Sequence, residues 1–154
     1  MQIHSIKINT LIEEKKVIEF SLPTAEFCAS KNLSLFLPDV KIGLEKEYEQ
    51  NKELAKKACL ELKQYNIKNF IKDCNLFFNR PEIDLKIRIT GYGTYGFYWP
   101  HEQKIFINFR RSPWITQTAK HEILHLILEP FIQKKKYTHQ EKENLIHTIY
   151  RLLV

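Results

Sequence analysis

Residues 112–130 read Ser-Pro-Trp-Ile-Thr-Gln-Thr-Ala-Lys-His-Glu-Ile-Leu-His-Leu-Ile-Leu-Glu-Pro, and the rest of the chain is best read outward from them. Ser112 is placed to cap a helix, Pro113 suits its first turn, and Pro130 is its expected stop. Ile115, Ala119, Ile123, Leu124, Leu126, Ile127 and Leu128 cover most of the circumference, which predicts a buried helix. One polar stripe interrupts that surface: Thr118, His121, Glu122, His125 and Glu129. Burying two histidines and two glutamates is costly unless they are paired or bound to a metal ion. Within the stripe, His121-Glu122-Ile123-Leu124-His125 has the H-E-x-x-H pattern. Four residues make slightly more than one helical turn, so both imidazoles leave one face about 40° apart and can close on a single ion. Glu122 points about 100° away from His121, where it can act as a base on a bound water without being a ligand. The plain alternative is a His/Glu hydrogen-bond network with no metal.

A chain of 154 residues, 44% apolar and 27% charged, fits one globular domain spanning residues 1–154. The net charge is +6, but Lys and Arg are interleaved with Glu along the chain, which predicts solvated faces and argues against nucleic acid as the partner. The three cysteines, Cys28, Cys59 and Cys74, are odd in number and lack C-x-x-C spacing, so reduced thiols are expected. Cys59 and Cys74 read as core, and Cys28 also suits the role of a thiol that blocks a metal. The opening MQIHSIKINTLIEE lacks the apolar run of a secretory signal, and no stretch has transmembrane length. A cytoplasmic protein is the expectation. Oligomeric state is left open.

Residues 1–43 carry two β-like runs, Ile6–Ile8 and Val17–Phe20, which predict a hairpin. This segment reads as an extension, an oligomer contact or a cover for the site. Residues 44–65 form an amphipathic helix, and residues 67–78 a second one ended by Pro81. Residues 82–90 alternate strictly, with Ile83, Leu85, Ile87 and Ile89 on one face, and are the clearest strand. Gly91, Gly93 and Gly96 then lead into an exposed strand, 95–99. A turn at Pro100–Gln103 returns the chain along a strand over 104–110. An exposed strand can hold an extended peptide by pairing with its backbone, which makes Gly96, Phe97, Tyr98 and Trp99 the candidate substrate-binding residues.

A catalytic zinc ion takes three protein ligands and keeps a fourth position open. Thr138-His139-Gln140-Glu141 fits a capping box that opens a final helix, so Glu141 has a structural assignment and Glu143 is left over. His139, Glu143, His147 and Tyr150 share a strip beside the apolar arc of Leu145, Ile146, Ile149, Leu152 and Leu153. Glu143 is the candidate third ligand, with His139, Glu129 and Glu141 as alternatives. Lys134, Lys135 and Lys136 precede this helix in what reads as a solvated loop.

His121-Glu122-x-x-His125 followed after a linker by Glu143 resembles the gluzincin metallopeptidases, both the thermolysin-like group and the small single-domain minigluzincins. The resemblance covers residues 83–154, which it makes the catalytic core, and does not extend to residues 1–43. It implies one zinc ion held by His121, His125 and Glu143, with Glu122 as general base. His147 stands where the family has an Asp that orients the first histidine, and the family's later subdomain with its oxyanion donors has no counterpart before Val154. His147 and Tyr150 are therefore the candidates for the remaining catalytic roles, with His139 as a further substitute.

The expected architecture is α+β: a small mixed or antiparallel sheet whose edge hairpin packs on the H-E-x-x-H helix and on a C-terminal helix carrying the glutamate. The expected activity is zinc-dependent hydrolysis of peptide bonds in a peptide or protein substrate, endopeptidase rather than exopeptidase. The alternative is a weak or inactive regulatory or binding protein on the same scaffold, of the kind found in toxin or repressor systems. A metal-dependent nucleic-acid enzyme would need a third histidine where Pro130-Phe131 stands.

Overall fold

Strict alternation over residues 84–90 places Leu85, Ile87 and Ile89 on one face, and the strand they form is central to the sheet. The computed structural model describes residues 2–65, 67–78, 84–111 and 113–154. Expectations for Pro81, Glu82, Ile83 and Ser112 lie outside the described residues. The elements run β1 (Gln2–Ile8), α1 (Leu11–Ser21), α2 (Ala25–Ser30), α3 (Leu44–Gln64), α4 (Ile67–Phe78), β2 (Asp84–Thr90), β3 (Gly96–Trp99), β4 (Lys104–Asn108), α5 (Ile115–Lys135) and α6 (His139–Leu153). The fold is α+β. Its four-stranded mixed sheet has the order β1-β2-β4-β3, with β1 and β4 parallel to β2 and β3 antiparallel to β4.

Leu85, Ile87, Ile89, Ile105 and Ile107 build the face that packs on α3, α4, α5 and α6 in the main core. The opposite face carries a smaller cluster in which Phe106 meets Val17 of α1, with Phe97 and Trp99 against it. Edge strand β3 thus splits its side chains, as a strand must. Tyr98 packs with the main core and Phe97 and Trp99 with the smaller one.

Within residues 1–43, Gln2–Ile8 is built into the sheet as β1. β1 pairs with β2 from Gln2↔Asp84 to Ile8↔Ile89. The hairpin expected from Ile6–Ile8 and Val17–Phe20 does not form, because Val17–Phe20 lies in α1. The β-branched run is outweighed by a capping box at the helix start: Glu13 N–H donates to the Thr10 hydroxyl, and the Glu13 carboxylate accepts from Thr10 N–H at 2.9 Å. Val17 then fills the core as a helical residue. Glu14, one residue on, is buried. Its carboxylate accepts from Gly91 N–H at 2.9 Å, the Thr90 hydroxyl at 2.5 Å and Asn9 Nδ2 at 3.3 Å, tying α1 to the end of β2.

Pro130 does not stop α5, which continues to Lys135. Its ring is exposed, so no neighbouring element has to make room for it. The lost N–H leaves the Leu126 carbonyl without its helical donor. Leu152, expected in the buried arc of α6, is 69% exposed, whereas Ile146 is fully buried.

Candidate metal centre

Two helices and one strand position the site. α5 is mostly buried from Ile115 to Leu128 and holds Glu122 and His125 in the interior. α6 begins with the expected capping box at Thr138 and Glu141, and its next turn brings Glu143 over α5. His121 Nε2 lies 3.2 Å from one Glu143 carboxylate oxygen, and His125 Nε2 lies 3.3 Å from the other. The two Nε2 atoms are 3.0 Å apart. Among the described residues this is the one group of His, Cys, Asp or Glu side chains whose ligand atoms converge, all within 4.8 Å of one another.

These distances test whether zinc fits. Donors at about 2.05 Å from a tetrahedral zinc stand about 3.3 Å from each other, and the three observed separations of 3.0, 3.2 and 3.3 Å form such a triangular face. The same spacing also fits a hydrogen bond between the two Nε2 atoms, with its donor set by the tautomers. The set of two imidazoles and one carboxylate is also a donor set that zinc takes.

The other candidate ligands are engaged or set back. Glu141 caps Thr138. Glu129 accepts from the Tyr98 hydroxyl at 2.6 Å and from Gln133 Nε2 at 2.6 Å. His139 Nδ1 is 4.0 Å from Glu143 and outside the converging group. Cys28 is buried on α2 and lines the cleft next to the site, with its thiol directed at the Thr24 hydroxyl at 3.8 Å.

Electrostatics follow from burial and mutual charge. Burial would raise the Glu143 carboxyl, but hydrogen bonds from His121 and His125 hold it far below the usual carboxylate range. Burial lowers His125 and keeps it neutral, the state that ligates a metal. At His121 burial is outweighed by the Glu143 bond and the Glu122 and Glu143 charges, and the net shift is upward. Burial lifts Glu122 to about 7, against a smaller opposing pull from His121. Glu122 makes no hydrogen bond among the described residues, so its carboxylate is free to exchange a proton.

Gly96 explains how β3 reaches this close. A Cβ at that position would lie 2.6 Å from Thr118 Cγ2 and 2.7 Å from Glu122 Oε1. The backbone of the edge strand therefore runs directly against the side chain of Glu122. Tyr98, two residues on, stacks on the His125 ring with centroids 5.2 Å apart and planes 7° from parallel. His125 Nδ1 is buried and has no hydrogen-bond partner among the described residues, where a ligating histidine is usually oriented by an acceptor. The Tyr98 ring, pinned through its hydroxyl to Glu129, supplies the orientation instead. Burial and that bond hold the Tyr98 phenol well above its usual value, so it remains a donor.

The site opens into a cleft of about 880 Å³. Gly96, Phe97 and Tyr98 line it, and Trp99 does not; its indole packs edge-on against Phe106 on the far face of the sheet. His147 lines the cleft with its ring 5.4 Å from that of His121. Tyr150 lines it too, half-buried against the core. Of the roles the sequence left open for residues 1–43, the cover for the site matches the lining of the cleft by Phe20, Phe27 and Leu33, and Phe27 meets His139 of α6 edge-on at 5.4 Å. Sequence reasoning did not single out these three residues, which come from α1, α2 and the turn after it.

No family model, curated protein or solved structure matches the chain.

Proposed function

We propose that this protein is a zinc-dependent peptidase. The observation that carries the reading is the convergence of His121, His125 and Glu143 with zinc-like spacing beside a buried, unpartnered Glu122 at the floor of an open cleft. When bound, zinc supplies a Lewis acid that polarises a carbonyl and lowers the pKa of water to about 7. His121, His125 and Glu143 hold the ion. Glu122 accepts a proton from the attacking water and returns it to the leaving nitrogen, a task suited to a carboxyl near 7. The free edge of β3 aligns an extended peptide over Glu122 through backbone pairing. His147 and Tyr150 supply polar contacts to the substrate carbonyl.

Metal content and cleavage of a mixed peptide library test this together. Glu122→Gln is expected to keep stoichiometric zinc and to lose about 10²–10⁴-fold in cleavage rate. Glu143→Ala is expected to lose zinc. Unchanged zinc in Glu143→Ala overturns the ligand set, and stoichiometric zinc in a wild-type protein that cleaves nothing supports a binding or regulatory role in place of catalysis.

A further inference from the structure

The charge of the cleft is one-sided. Among the described residues the only carboxylates lining it are Glu122 and Glu143, both in the candidate metal centre, while Lys31, Arg111 and Lys142 line it as cations. None of the three has a carboxylate partner among the described residues. Two of the cleft cations are fixed relative to β3. The Arg111 guanidinium lies 4.7 Å from the Tyr95 ring centroid, at the entry to the strand. The Lys142 ammonium lies 5.7 Å from the Tyr98 ring centroid, past Gly96 on the other side. Lys142 is also near enough to be felt by His121, Glu122 and His125. Gly96 marks Glu122, so the two cations bracket the general base along the strand. Tyr95 lies in the bend just before β3, and Tyr98 lies within the strand.

We infer that the cleft selects acidic peptides, with Arg111 and Lys142 each receiving a substrate carboxylate on either side of the bond above Glu122. This rests on the peptidase reading, which supplies the direction in which the substrate lies. An extended chain threaded along β3 passes one cation, then the base, then the other. Asp or Glu side chains on both flanks give Arg111 and Lys142 the carboxylate partners they lack among the described residues. A lysine-rich peptide meets two like charges in a partly desolvated groove.

Fluorescence anisotropy with the zinc-loaded Glu122→Gln protein tests it. The probes are labelled peptides of one length, with an apolar centre flanked by Asp and Glu, by Asn and Gln, or by Lys. The acidic peptide is expected to bind about tenfold tighter than the neutral one at low salt, with the gap closing at high salt. Arg111→Glu and Lys142→Glu should each weaken acidic-peptide binding about fivefold. Lys142→Met, which adds no new carboxylate beside the metal, should weaken it less. Reversing Lys134, Lys135 and Lys136 together alters net charge more but lies outside the cleft, and should leave the preference intact. Equal binding of acidic and neutral peptides, or an equal loss from the loop triple, overturns the inference. Wild-type activity separates the two readings. Cleavage without charge preference leaves the peptidase and removes the selectivity, and acidic-peptide binding without cleavage does the reverse.

Discussion

A hydrogen atom at Gly96 is what lets β3 touch Glu122. Any side chain there meets Thr118 and Glu122 at distances no Cβ tolerates. Gly96→Ala should therefore push the carboxylate aside or lift the strand, at about 1–3 kcal/mol of stability. Zinc should stay bound while peptide cleavage collapses. A variant with wild-type kcat/KM would show that the contact is not needed for catalysis. Tyr98 works by its ring. Tyr98→Leu should weaken zinc binding about tenfold, the usual scale for losing a group that orients a ligand, because nothing else among the described residues fixes His125 on its Nδ1 side. Tyr98→Phe, which keeps the ring and loses only the bond to Glu129, should retain most of the affinity. Competition with a chromophoric chelator measures both. Zinc binding unchanged in Tyr98→Leu would remove Tyr98 from the site. At this scale the sequence was informative about chemistry and silent about approach. The grouping of His121 and His125 with Glu143 was legible because i,i+4 spacing puts the histidines on one face and the capping box at Thr138 and Glu141 leaves Glu143 over. The stacking of Tyr98 and the crowding at Gly96 depend on how a strand docks on a helix, which no local pattern encodes.

Elements were legible where periodicity met a clear signal. β2, α3, α4 and the capped start of α6 follow from alternation, an amphipathic stripe and T-x-x-E. α1 was hidden by Val17-Ile18-Glu19-Phe20, although Thr10 and Glu13 spell the same T-x-x-E box that identified α6. β1 runs parallel to β2 across more than eighty residues, a pairing that local sequence cannot specify. α5 was read as ending at Pro130 because a proline inside a helix is costly. That cost is present in the fold, and Pro130→Ala should raise stability by about 1–3 kcal/mol by restoring the donor to the Leu126 carbonyl. Urea unfolding measures it, and a loss of stability would mean that the proline's local bend is used in packing Phe131 and Ile132.

For the molecule as a whole, Glu14 joins the first third of the chain to the sheet. Burial pushes its carboxyl above the ordinary range, with the Thr90, Gly91 and Asn9 bonds opposing. A carboxyl raised in the folded state binds its proton more tightly there than in the unfolded chain. The stability it contributes is therefore full below the unfolded value of 4.5 and declines as pH rises through the folded value. Glu14→Gln removes that decline, so the Tm difference between variant and wild type should move in favour of the variant as pH rises from acid to neutral. A difference that moves the other way would reverse the sign assigned to Glu14.

The parallel pairing of β1 with β2 also sets the order of events during synthesis. Gln2 finds its partner only after Asp84 has been made, 82 residues later. At ribosomal rates of about 5–20 residues per second, β1 waits at least several seconds without a neighbour. His121 and His125 emerge next, and Glu143 after them. On the zinc reading, a nascent chain would show two loose imidazoles to the surrounding metal pool before the third donor exists, and full coordination would have to await the emergence of Glu143.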